Sequence, residues 1–206
     1  MKRHQIWIVA LCASFISAAA FAAEPPATAI VKGTITIGGK PASDVVVSVE
    51  GVALKLGETR PSGNTTPAVI DQLDMKFVPR VLAVIVGKTV DFPNNDKTFH
   101  NVFSTSEAKK FDLGLYPSGQ SRSVNFDKAG VVKILCNVHP NMEAYIVVKN
   151  HPYFSVADSR GSFTIKGIPL GKYRVAVWHP NFGSKIVFVE LVRAGEVLAL
   201  DVDLKK

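Results

Sequence analysis

The sequence predicts an all-β protein of the β-sandwich class. Short segments rich in β-branched and aromatic residues recur along the chain, and several of them alternate between apolar and polar positions. Gly and Pro, with 15 and 12 copies, separate these segments as turn signals. No helical periodicity is visible outside the N-terminal residues. Many short strands divided by turns are typical of two packed antiparallel sheets.

The first residues have the features of a secretory signal peptide. Lys2 and Arg3 give a basic start, residues 6–21 form an apolar run, and Ala20-Phe-Ala22 fits the small-x-small cleavage rule. The run is short for a bilayer span and ends in small residues, so an uncleaved anchor is the weaker alternative. We therefore expect residues 1–22 to be removed. A periplasmic or secreted location follows, with no membrane insertion after cleavage.

Removal of the signal peptide leaves one cysteine. Cys12 departs with the leader, and a lipoprotein interpretation of Cys12 is weak because Leu11 stands where a small residue is needed. A single thiol in an oxidising compartment is either a reactive liability or a committed ligand. An inert buried thiol is the plain alternative for Cys136. Its neighbours His139 and Met142, three and six residues further on, favour a ligand.

The charge balance argues against a nucleic-acid partner. The formal charge is +7, and loss of Lys2 and Arg3 leaves 22 basic against 17 acidic residues, a net +5. The positive charges are scattered instead of forming a stripe or block. An acidic protein partner or an anionic surface remains open.

Short elements are expected throughout the remaining chain. Residues 23–28 predict an extended linker, 57–67 a loop rich in Gly, Pro, Ser, Asn and Thr, and 106–110 a single helical turn. Turns are expected at 38–41, 127–130, 158–161, 167–171 and 193–195. Strands are expected at 29–37, 45–52, 68–71, 75–78, 80–86, 89–92, 100–104, 121–126, 131–135, 145–148, 153–157, 162–166, 173–178, 185–192 and 197–204.

The densest group of candidate ligands lies between the apolar runs that flank 136–142. It contains the thiol of Cys136, the imidazole of His139 and the thioether of Met142. These are three of the four ligands of a blue-copper site, and His100 is the candidate for the second imidazole. Cys-x2-His alone also fits zinc, but the mature chain has no second Cys and no paired Cys/His cluster. The combination favours one copper ion that cycles between Cu(I) and Cu(II).

Two segments carry a resemblance to a known family. The segment Asp91-Phe-Pro-Asn-Asn-Asp-Lys-Thr-Phe-His-Asn-Val102 and the loop Cys136-x2-His139-x2-Met142 resemble the cupredoxins, the small blue-copper proteins. The loop is similar to the short ligand loop of amicyanins, including the Pro after the His. The resemblance covers about 68–150 and implies a Greek-key β-sandwich. It implies His100, Cys136 and His139 as strong ligands of a type 1 copper, with Met142 as the weak axial ligand.

The resemblance also implies roles around the metal. Asn101 is expected to help tie the two ligand loops together. His139 is expected at the surface, inside an apolar patch that includes Pro140 and through which electrons pass. His151 and His179 lie outside the loop and are expected to be structural or surface residues. A docking role for Lys97, Lys109 and Lys110 toward an acidic redox partner is possible, although most such lysines are only solvated.

The two ends of the chain resemble a second module. Residues 156–175 resemble the regulatory-like (transthyretin-like) β-sandwich attached to some carboxypeptidases, and residues 31–41 with 45–49 resemble its opening strands. This predicts a second small β-sandwich that is split in sequence around the copper domain. The alternative is that the head supplies the first strands of the cupredoxin. The expected division is 1–22 signal peptide, 23–28 linker, 29–66 opening strands, 67–150 copper domain and 151–206 remainder of the sandwich.

The favoured function is a periplasmic carrier of single electrons between a protein donor and a protein acceptor. A copper oxidase or reductase is the enzymatic alternative. It needs a further copper or a histidine cluster, and two of the four histidines after residue 22 are already assigned. We therefore expect a carrier and not an enzyme. The third class is a non-redox copper-binding or partner-binding β-sandwich module.

Overall fold

The computed structural model describes residues 27–52 and 68–205. The predicted signal peptide, most of the predicted linker and the predicted loop at 57–67 lie outside the described residues. Within the described ranges the chain contains strands, turns and bends but no helix, which confirms the all-β prediction. None of these residues form a helix that is long and apolar enough to cross a membrane.

Strands from both ends of the chain share two sheets. These strands are β1 Thr28–Ile37, β2 Lys40–Pro41, β3 Val46–Glu50, β14 Phe154–Val156, β15 Ser162–Pro169, β16 Gly171–His179, β17 Gly183–Leu191, β18 Val197–Ala199 and β19 Val202–Asp203. In one sheet, β1 pairs with β15, β18, β19 and β2. In the other sheet, β3 lies between β14 and β16, and β16 also pairs with β17.

The inner faces of these two sheets bury one apolar core. Val31 and Ile35 of β1 meet Val47 of β3 and Val175 of β16, all fully buried, because alternate residues of a strand point to the same face. Gly33 lies on β1 where the carbonyl of Leu200 approaches so closely that an added Cβ would overlap it.

The strands between residues 68 and 149 form separate sheets with their own core. One sheet has the order β10-β9-β12-β13-β7, a second has β11-β8-β4, and β5 pairs with β6. Their core includes Phe92, Phe126 and Ile134, together with Cys136 and Met142. The bounds are β4 Ala68–Val69, β5 Asp71–Leu73, β6 Lys76–Val78, β7 Val81–Ile85, β8 Lys88–Pro93, β9 His100–Ser106, β10 Lys109–Tyr116, β11 Ser121–Phe126, β12 Gly130–Leu135 and β13 Glu143–Lys149.

The predicted helical turn at 106–110 is wrong. Lys109 pairs with Ser106, so these residues form the tight end of a β9–β10 hairpin. β10 was not expected because its alternation is interrupted by an irregular register between Asp112 and Leu115. Gly114 lies there with a positive φ of 65°. A local irregularity of this kind hides a strand from period-two pattern recognition.

Two boundaries in the C-terminal part also differ from the expectation. β15 continues to Pro169, so the turn expected over 167–171 is confined to Leu170. The strand expected over 197–204 is divided into β18 and β19. At the break, the carboxylate of Asp201 accepts the Thr34 amide, and the Leu200 amide donates to the carbonyl of Lys32.

The two sets of strands contact each other at a small apolar junction, which consists of Val46, Val81, Val147, Ala83, Tyr145 and Trp178. The three valines are buried, and the Tyr145 and Trp178 rings meet edge to face at 5.7 Å between centroids. Val46 and Trp178 belong to β3 and β16, whereas Val81, Tyr145 and Val147 belong to β7 and β13. The junction therefore joins the sheets built from the chain ends to those of residues 68–149.

An ion pair crosses between the two sets of strands beside the junction. Glu50 accepts from Lys149 Nζ at 2.6 Å, from Ser48 Oγ at 2.5 Å and from His151 Nε2 at 3.4 Å. The hydrogen bond from His151, followed by those from Lys149 and Ser48, holds the pKa of Glu50 well below its ordinary 4.5, although burial acts in the opposite direction. The ionised carboxylate therefore stabilises the fold.

We predict that Glu50→Gln lowers the free energy of unfolding at pH 7 by about 1 kcal/mol, because charge-assisted hydrogen bonds are lost. A depressed pKa contributes stability above the ordinary value of 4.5 and loses it as the pH falls below that value. The difference in the free energy of unfolding between Glu50→Gln and wild type should therefore be smaller at pH 3 than at pH 7. Urea unfolding at both pH values checks this, and an equal loss at each pH would contradict it.

Candidate metal centre

Three neighbouring strands bring the candidate ligands to one end of a sheet. His100 is the first residue of β9, and Cys136 directly follows β12. β12 pairs with β13 through Leu135 and Glu143, which closes the loop 136–142. The amide of Met142 donates to the carbonyl of His139 at 2.9 Å and tightens this loop. The hydrogen-bonded strands therefore fix where each ligand-bearing residue leaves the sheet.

The donor atoms of three predicted residues converge. The Nδ1 atoms of His100 and His139 are 3.0 Å apart, and Cys136 Sγ is 4.0 Å from His100 Nδ1. Among residues 27–52 and 68–205, this is the one group of three His, Cys, Asp or Glu side chains arranged to hold a metal ion, with all donor atoms within 4.8 Å. His100 and Cys136 are buried and His139 is half-buried.

Met142 lies in the same apolar core as Cys136 and is 1% exposed. Its backbone is fixed by the hydrogen bond to His139, three residues earlier. A buried thioether is a soft, weak ligand, and an apolar core keeps competing water away from it. Burial and position are thus compatible with the predicted axial role.

A carboxylate orients His100 from outside the cluster. Asp96 Oδ2 accepts from Nε2 of His100 at 2.9 Å, and backbone amides of Met75 and Lys97 each donate to this carboxylate at 2.7 Å. The amide of Met75, then His100 and Lys97, lower the pKa of Asp96 to about 2. An ionised carboxylate only accepts, so Nε2 of His100 carries the proton. Its Nδ1 lone pair is then directed toward Cys136 and His139.

The β5–β6 hairpin supplies one of the donors that hold Asp96. Its turn residues Asp74 and Met75 have φ values of 51° and 54°, in the left-handed region that few residues other than glycine adopt. This turn directs the Met75 amide at the carboxylate. Asp96 had not been identified from the sequence. The available signal was an acidic residue four positions before His100, but only the folded hairpin shows its use.

The donor set fits a soft divalent or monovalent ion. The donor atoms of the two imidazoles and the thiol lie within 4.8 Å of one another. Thiolate and imidazole together suit copper and zinc, whereas oxygen-seeking ions such as Mg²⁺ and Ca²⁺ prefer carboxylates and carbonyls. The residues present thus match the chemistry of a copper site.

Asn101 follows His100 on β9. Its side-chain amide donates to Asp112 on β10 at 2.7 Å, and Asp112 also accepts the amide of Gly114. The side-chain oxygen of Asn101 has no hydrogen-bond partner within the described part of the chain. The side-chain amide of Asn101 therefore connects β9 to β10, and its role in tying the two ligand loops together stays a prediction.

Exposed apolar side chains adjoin His100 and His139 in the sequence. Phe99 precedes His100 and is 52% exposed, whereas Val138 precedes His139 and is 47% exposed. Pro140 follows His139 and is also exposed. His151 and His179 lie away from the cluster: His151 contacts Glu50, and the Nδ1 of His179 accepts the amide of Asn181.

Comparison with known proteins places a family match over this region. Residues 65–149 match a family described as copper binding proteins of the plastocyanin/azurin family. This range includes His100, Cys136, His139 and Met142. No curated protein matches the chain. The family match supports a copper-binding, cupredoxin-like unit over these residues.

Several solved structures are similar to part of the chain. A purple cupredoxin from Nitrosopumilus maritimus is 26% identical, with 40% of this chain and 99% of that chain covered and a TM-score of 0.37. A reduced mutant form of amicyanin is 24% identical, with coverages of 50% and 98% and a TM-score of 0.39. A copper-containing nitrite reductase from Thermus scotoductus SA-01 is 25% identical, with coverages of 48% and 25% and a TM-score of 0.39.

We predict that Asp96→Asn lowers the affinity for Cu(II) about tenfold, because outer partners of ligating histidines typically contribute this much. Asp71→Asn is a matched control. Asp71 lies in the β5–β6 hairpin, and its carboxylate contacts Gln72 and Asn95 but no candidate ligand. Competition with a chelator measures both affinities. Equal affinities for the two variants would contradict the role of Asp96.

Proposed function

We propose that this protein is a periplasmic type 1 copper protein that transfers single electrons between a donor and an acceptor protein. One copper ion would be held by His100, Cys136 and His139, with Met142 as axial ligand. The observation that carries the proposal is the convergence of two imidazoles and the lone described thiol within 4.8 Å. Bound copper supplies a one-electron Cu(II)/Cu(I) couple at such a site.

The role of the chain is to keep the donor positions the same in both oxidation states. β9, β12 and β13 are hydrogen-bonded neighbours, so His100 and Cys136 cannot separate without breaking the sheet. Asp96 fixes the orientation of the His100 ring, and burial restricts the movement of the Cys136 side chain. A donor set that does not rearrange between the two states favours rapid electron transfer over substrate binding.

The half-buried His139 is the natural point of electron exit. The side chains on both sides of it, Val138 and Pro140, are exposed and apolar. An apolar surface around a ligand allows close, brief contact with a partner protein. Lys97 is also exposed, whereas Lys109 is engaged by Asp127 at 2.9 Å. Of these two lysines, Lys97 is the better candidate for contact with an acidic partner.

The electron carrier is preferred to a copper enzyme because the described residues contain one candidate metal group, with His151 and His179 held elsewhere. An oxidase or reductase needs a further metal group or an acid–base pair beside the first. The non-redox copper-binding alternative differs from the carrier only in its redox behaviour, which the experiment below measures.

We predict that the protein isolated from the periplasm begins at Ala23. When loaded with Cu(II), it should show an intense thiolate-to-copper charge-transfer band and a type 1 EPR spectrum. Mild reductants should bleach the band reversibly. Cys136→Ser should lose the band, because the thiolate is its source. A pale protein, or a coloured one that does not cycle, would favour the non-redox alternative.

Met142 is tested in the same experiment. Met142→Leu should keep the band and the copper, with a changed EPR spectrum and a shifted reduction potential, because the axial bond is weak. Met75→Leu is the matched control, since Met75 is 57% exposed and contributes only its backbone amide to Asp96. If the two variants have the same spectrum and potential, Met142 is not a ligand.

We also propose that residues 29–66 and 151–206 form one sandwich, of the regulatory-like type, with the copper domain 67–150 inserted into it. The pairing of β1 with β15, β18 and β19, and of β3 with β14 and β16, supports this division. Surface loops tolerate such insertions because the entropy of loop closure grows slowly with length.

We predict that truncation after Asn150 leaves residues 29–52 without protected amides in hydrogen exchange, because the core partners of Val31 and Val47 are removed. The full chain is the control, with slow exchange in β1 and β3. A truncated protein that keeps these amides protected would show that the head belongs to the copper domain instead.

A further inference from the structure

Arg80 contacts both sets of strands. It stands directly before β7, and its Nη2 donates to Glu143 Oε1 at 2.6 Å. Its Nη1 donates to Asp44 Oδ2 at 3.3 Å, and Nη2 also approaches Asn181 Oδ1 at 3.5 Å. Glu143 belongs to β13, whereas Asp44 and Asn181 belong to the segments next to β3 and β16. One guanidinium thus joins the two parts of the molecule.

We propose that Arg80 is a positioning residue through which Asp44 and Asn181, in segments beside β3 and β16, hold the C-terminal end of the ligand loop. This inference rests on the proposed function, because it assigns these residues a role at the copper site. The proposal gives the strands from the chain ends a role in metal retention.

Glu143 is the residue through which this contact reaches the ligands. It follows Met142 directly and pairs across the sheet with Leu135, the residue before Cys136. Its second carboxylate oxygen accepts from Lys133 Nζ at 2.9 Å. Both oxygens are therefore engaged, and the first residue of β13 is held from two sides. A shift of Glu143 would move Met142 and the end of the loop with it.

The ligand loop has little other support on this side. A cleft of about 380 Å³ is lined by Lys76, Phe77, Arg80, Pro140, Asn141 and Glu143. Pro140 and Asn141 are exposed, so this face of the loop borders solvent instead of a packed core. Where apolar packing is absent, hydrogen bonds and ion pairs determine the position of a loop. Glu143 has two such ion pairs at the loop end, and the one with Arg80 is the pair that reaches the sheets built from the chain ends.

Arg80 is itself fixed in position. Its carbonyl accepts the amide of Tyr145 at 2.8 Å, which ties its backbone to β13. Its guanidinium carbon lies 5.7 Å from the centre of the Tyr145 ring, and that ring packs against Trp178 of the junction. A planar guanidinium can address two carboxylates at once, which a lysine ammonium does less well.

Asp44, which accepts from Arg80 on the side of the chain ends, is also restrained. Asp44 has a φ of 60°, in the left-handed region that Asp and Asn tolerate best. The next two residues, Val45 and Val46, are buried. The carboxylate therefore projects from a rigid position. Asp44→Asn keeps this backbone conformation and removes only the charge, so it is a suitable variant.

The test compares two cations that bridge the same two parts of the molecule. Arg80→Gln removes the bridge at the ligand loop, and Lys149→Gln removes the bridge to Glu50 at the far end of β13. We expect Arg80→Gln to release copper to a chelator about twofold to fivefold faster than wild type, as for the loss of one half-exposed ion pair. Lys149→Gln should release copper at the wild-type rate.

Two further measurements separate positioning from general destabilisation. Thermal unfolding of the copper-free proteins reports the stability that each variant loses. Amide exchange should increase at 139–144 in Arg80→Gln but not in Lys149→Gln. Asp44→Asn should also release copper faster than wild type. If Arg80→Gln does not fold, the copper release of Asp44→Asn tests the proposal instead.

Equal copper release by the Arg80, Asp44 and Lys149 variants would overturn this inference. That outcome is distinct from failure of the proposed function. If the wild-type protein shows no charge-transfer band, the copper function itself fails. If the wild-type band is present but copper release is the same in all variants, only the role of Arg80 fails.

Discussion

The site depends on three electron-pair donors that meet at one end of a sheet, where His100 and Cys136 are buried and His139 is half-buried. Two imidazole nitrogens 3.0 Å apart and a buried thiol 4.0 Å from one of them would be costly to enclose without a partner. A soft metal ion bound at this cluster would turn this cost into binding energy. The sheet and Asp96 hold these groups together.

The proposed ligands are held by two kinds of restraint. His100 and Cys136 are fixed by strands, because β9 and β12 are neighbours in one sheet and their ends coincide. His139 and Met142 depend on a short loop, which is stabilised by one internal hydrogen bond and by its return into β13. The first pair is therefore rigid by topology, whereas the second pair relies on contacts made at the end of the loop.

The sequence revealed the donor residues because their chemistry and spacing are local properties. It also revealed most strands, since alternation and turn residues are local too. β10 was missed because an irregular register around Gly114 interrupts its pattern, and the turn at 106–110 was misassigned as helical. Asp96 was missed because its role depends on the Met75 amide, which reaches it only through the folded β5–β6 hairpin. Contacts between distant segments have no signature in local composition.

The junction has two polar borders, and one of them adjoins the candidate ligands in the sequence. Its apolar portion is small, with three buried valines and one aromatic pair, so polar contacts at its borders contribute much of the orientation. At one border, Lys149 meets Glu50 at the C-terminal end of β13, and we expect this pair to affect stability alone. At the other border, Arg80 meets Glu143 beside Met142. The same kind of ion pair is therefore expected to have a different consequence, because the restraint at Arg80 acts on the residue next to a proposed ligand.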